Sequence, residues 1–239
     1  MSGHSHFKTV KATKDANDAK KGRIFSKLGR VITIAVKEKG QDITTNAQLK
    51  TAIEKAKEFN MPKENIERAI QKGAGELVGE VLEEVSFEGF GPGGISIIIE
   101  GITDNKNRTL GEVKGILNQY GGKMAGEGAV KWMFERKGLI SLNGEDKSKD
   151  ELELLTIEAG ADDIGWDKTT LEVYTKPEDL ENVKKTLEDK GLKIGGASLI
   201  LVAKEEITLN EKDKEKAQKL FEALDENDAI QDIYSNLKP

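Results

Sequence analysis

Cysteine is absent from this 239-residue chain. Its absence excludes disulfide bonds, thiolate zinc sites and cysteine nucleophiles, and it fits a reducing compartment. Aromatic residues make up only 5% of the sequence and prolines number four against 25 glycines. The chain is therefore neither of low complexity nor an aromatic platform for base stacking.

Long apolar runs are also absent. The longest wholly apolar stretch, residues 199–203, is far shorter than the roughly 20 residues that a membrane span needs. The basic N-terminus has no apolar segment behind it, which argues against a secretory signal. We expect a cytoplasmic protein without a membrane partner.

Histidine is scarce, since His4 and His6 are the only two. No third ligand of suitable type stands near them, so no metal is expected there. Two histidines without cysteine also leave little material for nucleophilic catalysis.

Charge is distributed unevenly along the chain. Residues 1–75 hold 16 Lys and Arg against 8 Asp and Glu, a net charge of +8, whereas the whole chain carries −6, which leaves −14 for the remainder. A basic N-terminal region on an acidic body indicates a polyanionic partner for one end of the protein only.

The basic region has helical periodicity. Apolar residues recur at three- and four-residue steps from about Asp15 until Gly40, which predicts a first amphipathic helix. A second helix is predicted after Thr45 or Asn46, either of which can cap it. Pro62 suits the first turn of a third helix, which Gly73 would end.

The cations on and before the first helix form one candidate site. Arg23, Lys27 and Arg30 fall opposite the apolar stripe, although Ile34 lies among them and breaks the pattern. Clustered cations bind phosphates by releasing counterions. The region has few aromatic residues, only Phe7 and Phe25, which favours backbone contact over base readout. The alternative is a solvated helix with no partner. The candidate nucleic-acid-binding residues are Lys8, Lys11, Lys14, Lys20, Lys21, Arg23, Lys27 and Arg30. Since Arg23, Lys27 and Arg30 face away from the stripe, we expect neutralising these three together to change stability little.

The body of the chain predicts two α/β units. Strands at 85–90 and 95–103, a helix at 108–120 and a strand at 129–134 come first, and residues 139–204 then follow the β-α-β-β-α-β order of a ferredoxin-like unit. A final helix and strand are too few to fold alone and are expected to return to the first unit. The predicted fold class is α+β, with a basic helical domain (1–78), an α/β domain (79–134 and 208–239) and an inserted ferredoxin-like domain (135–207).

Residues 89–94 formally match the glycine pattern G-x-G-x-x-G. A dinucleotide site needs a helix directly after this pattern, because the N-terminus of that helix holds the pyrophosphate. The residues that follow, Ile95–Ile99, predict a strand instead. A glycine hairpin is the better interpretation, and no cofactor is expected.

A polar loop at residues 103–109 is the second candidate site. Asp104 or Asn107 can cap the following helix, but capping needs one residue rather than seven. A structural role and a polar recognition surface are therefore equal alternatives. No base or nucleophile pair stands out, so catalysis there is a weak alternative. The candidate recognition residues are Asp104, Asn105, Asn107, Arg108 and Thr109.

These segments, taken in order, resemble the YebC/PmpR family of probable transcriptional regulators, whose mitochondrial members are translational activators. The matching segments are residues 3–5, 14–27, 60–63, 65–70, 72–75, 88–94, 103–109, 121–122 and 228–236. The resemblance covers nearly the whole chain, although Phe7 stands where the family usually has tryptophan and Val31 where it has glutamate. It implies a three-domain, cytoplasmic, non-enzymatic protein.

The resemblance leaves two roles open. The leading hypothesis is a DNA-binding transcriptional regulator that acts through its basic helical domain. The alternative is a translation factor bound to ribosomal RNA or the ribosome, acting as a translational activator or on stalled proline-rich synthesis. No helix-turn-helix with base-reading residues is visible, which favours RNA, whereas the naming of the family favours DNA. An enzyme using residues 104–108 is a third alternative, and no small-molecule substrate is evident.

Overall fold

Three amphipathic helices begin the folded chain, as the apolar spacing predicts. The structure, a computed structural model, describes residues 6–7, 18–77, 79, 81–143 and 147–238. The helices are α1 (Asp18–Lys39), α2 (Ala47–Glu58) and α3 (Lys63–Gly73). Their apolar faces meet in one core, to which α1 contributes Ile24, Leu28, Ile32, Ala35 and Val36.

Asn46 joins α1 to α2 and is fully buried. Its side-chain oxygen accepts a hydrogen bond from the Leu49 amide and so caps α2. Its Nδ2 donates to the carbonyls of Ala35 and Gly40 at the end of α1. The side-chain amide of Asn46 thus satisfies backbone groups at the end of α1 and at the beginning of α2. Of the two predicted caps, Thr45 and Asn46, it is Asn46 that caps α2.

The ends of α3 differ slightly from the prediction. Pro62 lies one position before the helix rather than in its first turn. Gly73 is the last helical residue, and the left-handed conformation that follows belongs to Gly75, with φ of 77°. A Cβ on Gly73 would lie 2.5 Å from the carbonyl oxygen of Thr33, so glycine lets α3 pack closely against α1.

The glycine-rich segment forms a hairpin turn. The strands β2 (Glu83–Phe90) and β3 (Ser96–Thr103) pair antiparallel on either side of it. Gly93 and Gly94 have φ values of 66° and 82°, which side chains with a Cβ rarely adopt. A strand follows the turn directly, so the dinucleotide-binding alternative is excluded.

The segment after the hairpin departs from the prediction in two places. α4 (Lys106–Gln119) begins two residues early and is followed by a short strand, β4 (Lys123–Met124), that the pattern did not reveal. The strand predicted at 129–134 is wrong: Lys131–Met133 form a 3₁₀ turn, and the strand begins only at Phe134.

Residues 134–203 form the predicted ferredoxin-like arrangement. Its elements are β5 (Phe134–Asn143), α5 (Lys149–Glu158), β6 (Asp163–Asp167), β7 (Thr170–Thr175), α6 (Leu180–Asp189) and β8 (Ile194–Ala203). The strands form an antiparallel sheet in the order β6-β7-β5-β8. Leucine, isoleucine and valine side chains of the sheet pack against α5 and α6.

The chain then returns to the first sheet, as expected from the number of elements. α7 (Glu211–Asp225) leads into β9 (Ile230–Ser235). The first sheet has the order β1-β9-β3-β2-β4, with β1 formed by His6–Phe7. The α+β fold class, with three N-terminal helices followed by sheets, is confirmed.

Contacts divide the chain into two compact units. Among the described residues, one unit contains His6, 130–209 and 234–238, and the other contains Phe7, 18–129 and 210–233. The three helices and the first α/β region therefore share a unit, and the division into three domains stays a prediction. Within the described residues, no helix is long and apolar enough to cross a membrane.

Candidate nucleic-acid interface

The predicted cations of α1 divide into an exposed and an inward-facing group. Lys20 and Lys21, at the beginning of the helix, are exposed, and the side chain of Arg23 is 41% exposed. Lys27 is only 4% exposed, and Arg30 is half-buried. The remaining predicted cations lie outside the described residues: Lys8, Lys11 and Lys14.

Lys27 is buried because it holds the end of another helix. Its Nζ donates hydrogen bonds to Oδ1 of Asp225 at 2.8 Å and to the Asp225 backbone carbonyl at 2.6 Å. Asp225 is the last residue of α7, where the final carbonyls lack partners within the helix. The expectation that Lys27 faces away from the protein is therefore wrong, and we expect its neutralisation to lower stability.

The middle of α1 packs against the first α/β region. Nη1 of Arg30 donates to the carbonyl of Ile102 at 2.8 Å. Ile34 is buried in a small cluster with Leu82 and Ile102. Ile34 was the residue that broke the basic pattern, so it was the signal that this face of α1 is covered.

The polar loop caps α4 with a residue different from the two predicted. Oδ1 of Asn105 accepts a hydrogen bond from the Arg108 amide. The backbone N–H of Asn105 donates to Oγ1 of Thr103. This oxygen lies 2.8 Å from Oγ1 of Thr109. The assignment of the cap to Asp104 or Asn107 is wrong, because the chain enters the helix through the extended backbone of Asn105.

We expect Asn105→Ala to lower the free energy of unfolding by about 1 kcal/mol, because the mutation removes the cap of α4. Equilibrium urea unfolding would measure the change. Asn107→Ala is the matched control, since Asn107 is exposed and is not the cap residue. Equal losses in both variants would contradict the assignment.

Arg108 is held in place by carboxylates. Its two terminal nitrogens donate to the two oxygens of Asp104, and its Nε lies 3.7 Å from Oε1 of Glu112. The hydrogen bond from Arg108 holds the pKa of Asp104 below its ordinary value. Asp104 therefore stays ionised at neutral pH and fixes the orientation of the guanidinium.

The two candidate sites meet at one groove of about 470 Å³, which we call the arginine groove. Arg23 and Arg30 line it from α1, and Arg108 and Thr109 from α4. The segment after α7 completes it with Glu226, Asn227, Asp228 and Ala229, and Glu112 also lines it. The sequence patterns did not connect these parts, because they are more than 70 residues apart.

Charges in the arginine groove are balanced by exposed carboxylates. Arg23 lies 3.4 Å from Glu226, whose side chain is 71% exposed. An exposed pair of this kind is worth at most about 1 kcal/mol, so an incoming anion can displace Glu226 at small cost. The geometry suits reversible binding of a phosphate or carboxylate by guanidinium groups.

Further cations are exposed on the outer surfaces of the helical bundle. They include Lys50, Lys55, Lys57, Lys63, Arg68 and Lys72. Of these, Lys63 pairs with Glu67 one helical turn away. Among the described residues, no group of three or more His, Asp or Glu side chains could hold a metal ion.

Comparison with known proteins gives matches along the whole chain. Residues 5–76 match the family model described as TACO1/YebC protein N-terminal domain, and residues 82–237 match that described as TACO1/YebC second and third domain.

Similar proteins cover nearly the full length. One from Thermoanaerobacter pseudethanolicus is 46% identical over 239 residues, covering 100% of this chain and 97% of that protein. One from Chloroflexus aggregans is 47% identical over 240 residues, covering 99% and 95%. Both are named as a probable transcriptional regulatory protein. The crystal structure of a conserved hypothetical protein from Aquifex aeolicus superimposes with a TM-score of 0.88 at 41% identity, covering 96% of this chain and 95% of that one.

Proposed function

The chain belongs to the TACO1/YebC family, and on that premise we propose that it is a non-enzymatic regulator of transcription that binds DNA through phosphate contacts. Its relatives are named as probable transcriptional regulatory proteins. Such a protein would act in the cytoplasm, where bacterial DNA lies.

The observation that carries this proposal is the exposed positive charge at the beginning of α1. Lys20 and Lys21 are exposed beside the partly exposed Arg23, and residues 1–75 carry a net charge of +8. Cations near the N-terminus of a helix oppose its dipole, so helix stability does not explain them. Binding to a polyanion explains these cations, because each phosphate contact releases counterions.

The burial of α1 limits how DNA could be read. A recognition helix lies in the major groove and needs one exposed face along its length. Ile24, Lys27, Leu28 and residues 32–36 are buried, so no face of α1 is exposed along the whole length of the helix. We therefore expect contacts to the phosphate backbone with little base specificity.

The decisive experiment compares partners at matched salt. Binding of the full chain to a DNA duplex, to an RNA duplex of the same sequence and to purified ribosomes would be measured by fluorescence anisotropy and sedimentation. Tighter binding to DNA at every salt concentration supports the proposal. Tighter binding to RNA or ribosomes would contradict the DNA-binding proposal and support the translation-factor alternative, because the same cations can bind the phosphates of ribosomal RNA.

We expect Arg108→Ala to fold normally and to lose function in cells. Its ion pairs are half-exposed, so the stability change should not exceed about 1 kcal/mol. Function should fall because a planar guanidinium in the arginine groove is lost. Complementation of a deletion strain would measure function, thermal melting would measure stability, and Lys106→Ala in the same helical turn is the control. Full complementation by Arg108→Ala would show that the arginine groove is not part of the functional site.

A further inference from the structure

The end of α7 carries carboxylates at a place that a helix does not favour for them. Asp225 is the last residue of α7 and Glu226 follows it directly, while the last turn of α7 holds no basic residue. The C-terminal end of a helix has a negative partial charge, so both carboxylates oppose the helix dipole. Each of them instead faces a cation of α1. Lys27 lies 2.8 Å from Asp225, and Arg23 lies 3.4 Å from Glu226.

The two ion pairs differ in burial and in geometry. The Lys27 side chain is 5% exposed, and its Nζ is at hydrogen-bond distance from Oδ1 of Asp225, so this pair is part of the fold. The Arg23 and Glu226 side chains are 41% and 71% exposed, and their separation exceeds the roughly 2.7–2.9 Å of a charge-assisted hydrogen bond. An exposed and loose pair contributes little to stability. Stability therefore explains Asp225 but not Glu226.

Glu226 is held by its backbone rather than by its side chain. Its N–H donates to the carbonyl of Glu222 in α7. The next residue, Asn227, donates through Nδ2 to Oε2 of Glu112 at 2.8 Å. The main chain is thus anchored at this point, whereas the exposed side chain of Glu226 can leave Arg23 by rotation about its own bonds. Such rotations take picoseconds to nanoseconds in exposed residues, so they do not delay binding.

Arg23 lies at the boundary between the exposed and the covered cations of α1. Lys20 and Lys21 are exposed within one turn before it, whereas Lys27, one turn after it, is buried. A phosphate chain that lies on Lys20 and Lys21 therefore meets Glu226 when it reaches Arg23. A phosphate oxygen and the Glu226 carboxylate repel each other when both approach the same guanidinium nitrogen. One of them must give way.

We propose that Glu226 competes with nucleic-acid phosphate for Arg23, so that the end of α7 limits the affinity of the protein for its own partner. This inference rests on the proposed binding of DNA at the beginning of α1, and it adds a residue that acts against that binding. In the free protein Glu226 pairs with the guanidinium of Arg23. In the complex a phosphate takes its place and Glu226 turns into water, while Asp225 keeps α7 in place on α1.

Neutralising Glu226 should therefore tighten binding. The phosphate no longer has to break an ion pair, and exposed pairs of this kind are weak. We accordingly expect Glu226→Gln to bind a DNA duplex about two- to five-fold more tightly than the unmodified chain does at about 0.1 M salt. Fluorescence anisotropy would measure the two dissociation constants. Equal affinities would overturn the proposal.

The matched control removes the same charge from the same helix. Glu215 is exposed on α7, and it precedes Glu226 by about three helical turns, or roughly 16 Å along the axis. This distance exceeds the Debye length of about 10 Å at 0.1 M salt, so the affinity of Glu215→Gln should stay within about 1.5-fold of the unmodified chain. An equal gain in both variants would show a general effect of net charge and would contradict local competition.

A double-mutant cycle tests whether Arg23 is the group for which Glu226 competes. In the Arg23→Gln chain there is no guanidinium for Glu226 to release. Adding Glu226→Gln to that chain should therefore change the affinity no more than Glu215→Gln does. A gain as large as in the unmodified chain would place the effect of Glu226 elsewhere. Thermal melting should be nearly the same for all these variants, since none of the three side chains is buried.

A second probe separates the failure of this proposal from the failure of the DNA-binding proposal. The variants are titrated with a DNA duplex, with an RNA duplex and with heparin, a sulfated polyanion that is not a nucleic acid. Tighter binding to RNA or heparin than to DNA contradicts the DNA-binding proposal, yet the gain from Glu226→Gln must still appear with that polyanion. Binding to DNA without this gain overturns only the competition at Arg23. No binding to any of the three overturns both proposals.

Discussion

Replacing Asp225 with alanine is expected to destabilise the protein by about 3–5 kcal/mol, because it leaves the ammonium group of Lys27 buried without its carboxylate. The Lys27 side chain is only 5% exposed and donates to both the side chain and the backbone of Asp225. The loss would be measured as the change in the free energy of unfolding in urea. It should appear in the transition of the unit that contains α1 and α7.

The neighbouring residue provides a matched control. Glu226→Ala removes a carboxylate from the same helix end, but its pair with Arg23 is exposed and should cost at most about 1 kcal/mol. Lys27→Met should cost less than Asp225→Ala, because the Asp225 side chain is 25% exposed and can be hydrated. Equal effects of Asp225→Ala and Glu226→Ala would show that burial of Lys27 does not determine the stability.

The second large effect concerns DNA affinity. Changing Lys20, Lys21 and Arg23 together to glutamine should remove three phosphate contacts. Each contact contributes about −0.9 to the slope of log K against log salt, so the slope should become less negative by about 2.7. At about 0.1 M salt this corresponds to a several-hundred-fold loss of affinity. A titration of binding against salt concentration would measure both quantities.

This variant should fold normally, since the three side chains are wholly or partly exposed. The control is a variant with three exposed α7 lysines changed to glutamine: Lys212, Lys214 and Lys219. It has the same change in net charge, so the comparison separates a local site from a general charge effect. Equal losses in both variants would exclude the beginning of α1 as the site.

Local sequence patterns predicted most of the helices and strands, because the residue spacing and turn residues that determine these elements lie within them or next to them. The spacing of Leu28, Ile32 and Ala35 gave α1, the glycine turn gave the β2–β3 hairpin, and the element order gave the ferredoxin-like arrangement. Short elements were less predictable. The two-residue strand β4 and the turn at Lys131–Met133 have too few residues for any period to show.

The candidate site was harder to predict because its parts meet only in three dimensions. A helical pattern shows which residues share a face, but not whether that face is covered by a distant segment. Lys27 and Arg30 were expected at the surface, yet their partners are 198 and 72 residues away. Ile34, apolar among the cations, was the local sign of this contact.

The distance in sequence between Lys27 and Asp225 has a consequence for biosynthesis. Ribosomes add about 5–20 residues per second, so the partner of Lys27 is made on the order of 10–40 s after Lys27 itself. During this interval residues 134–203, which form the ferredoxin-like arrangement, are synthesised in full, whereas the unit that contains α1 still lacks residues 210–233. Lys27 therefore lacks its partner until α7 emerges, whereas Leu82 and Ile102, which cover Ile34, are made earlier. α1 is thus complete long before the contact that holds Lys27 can form.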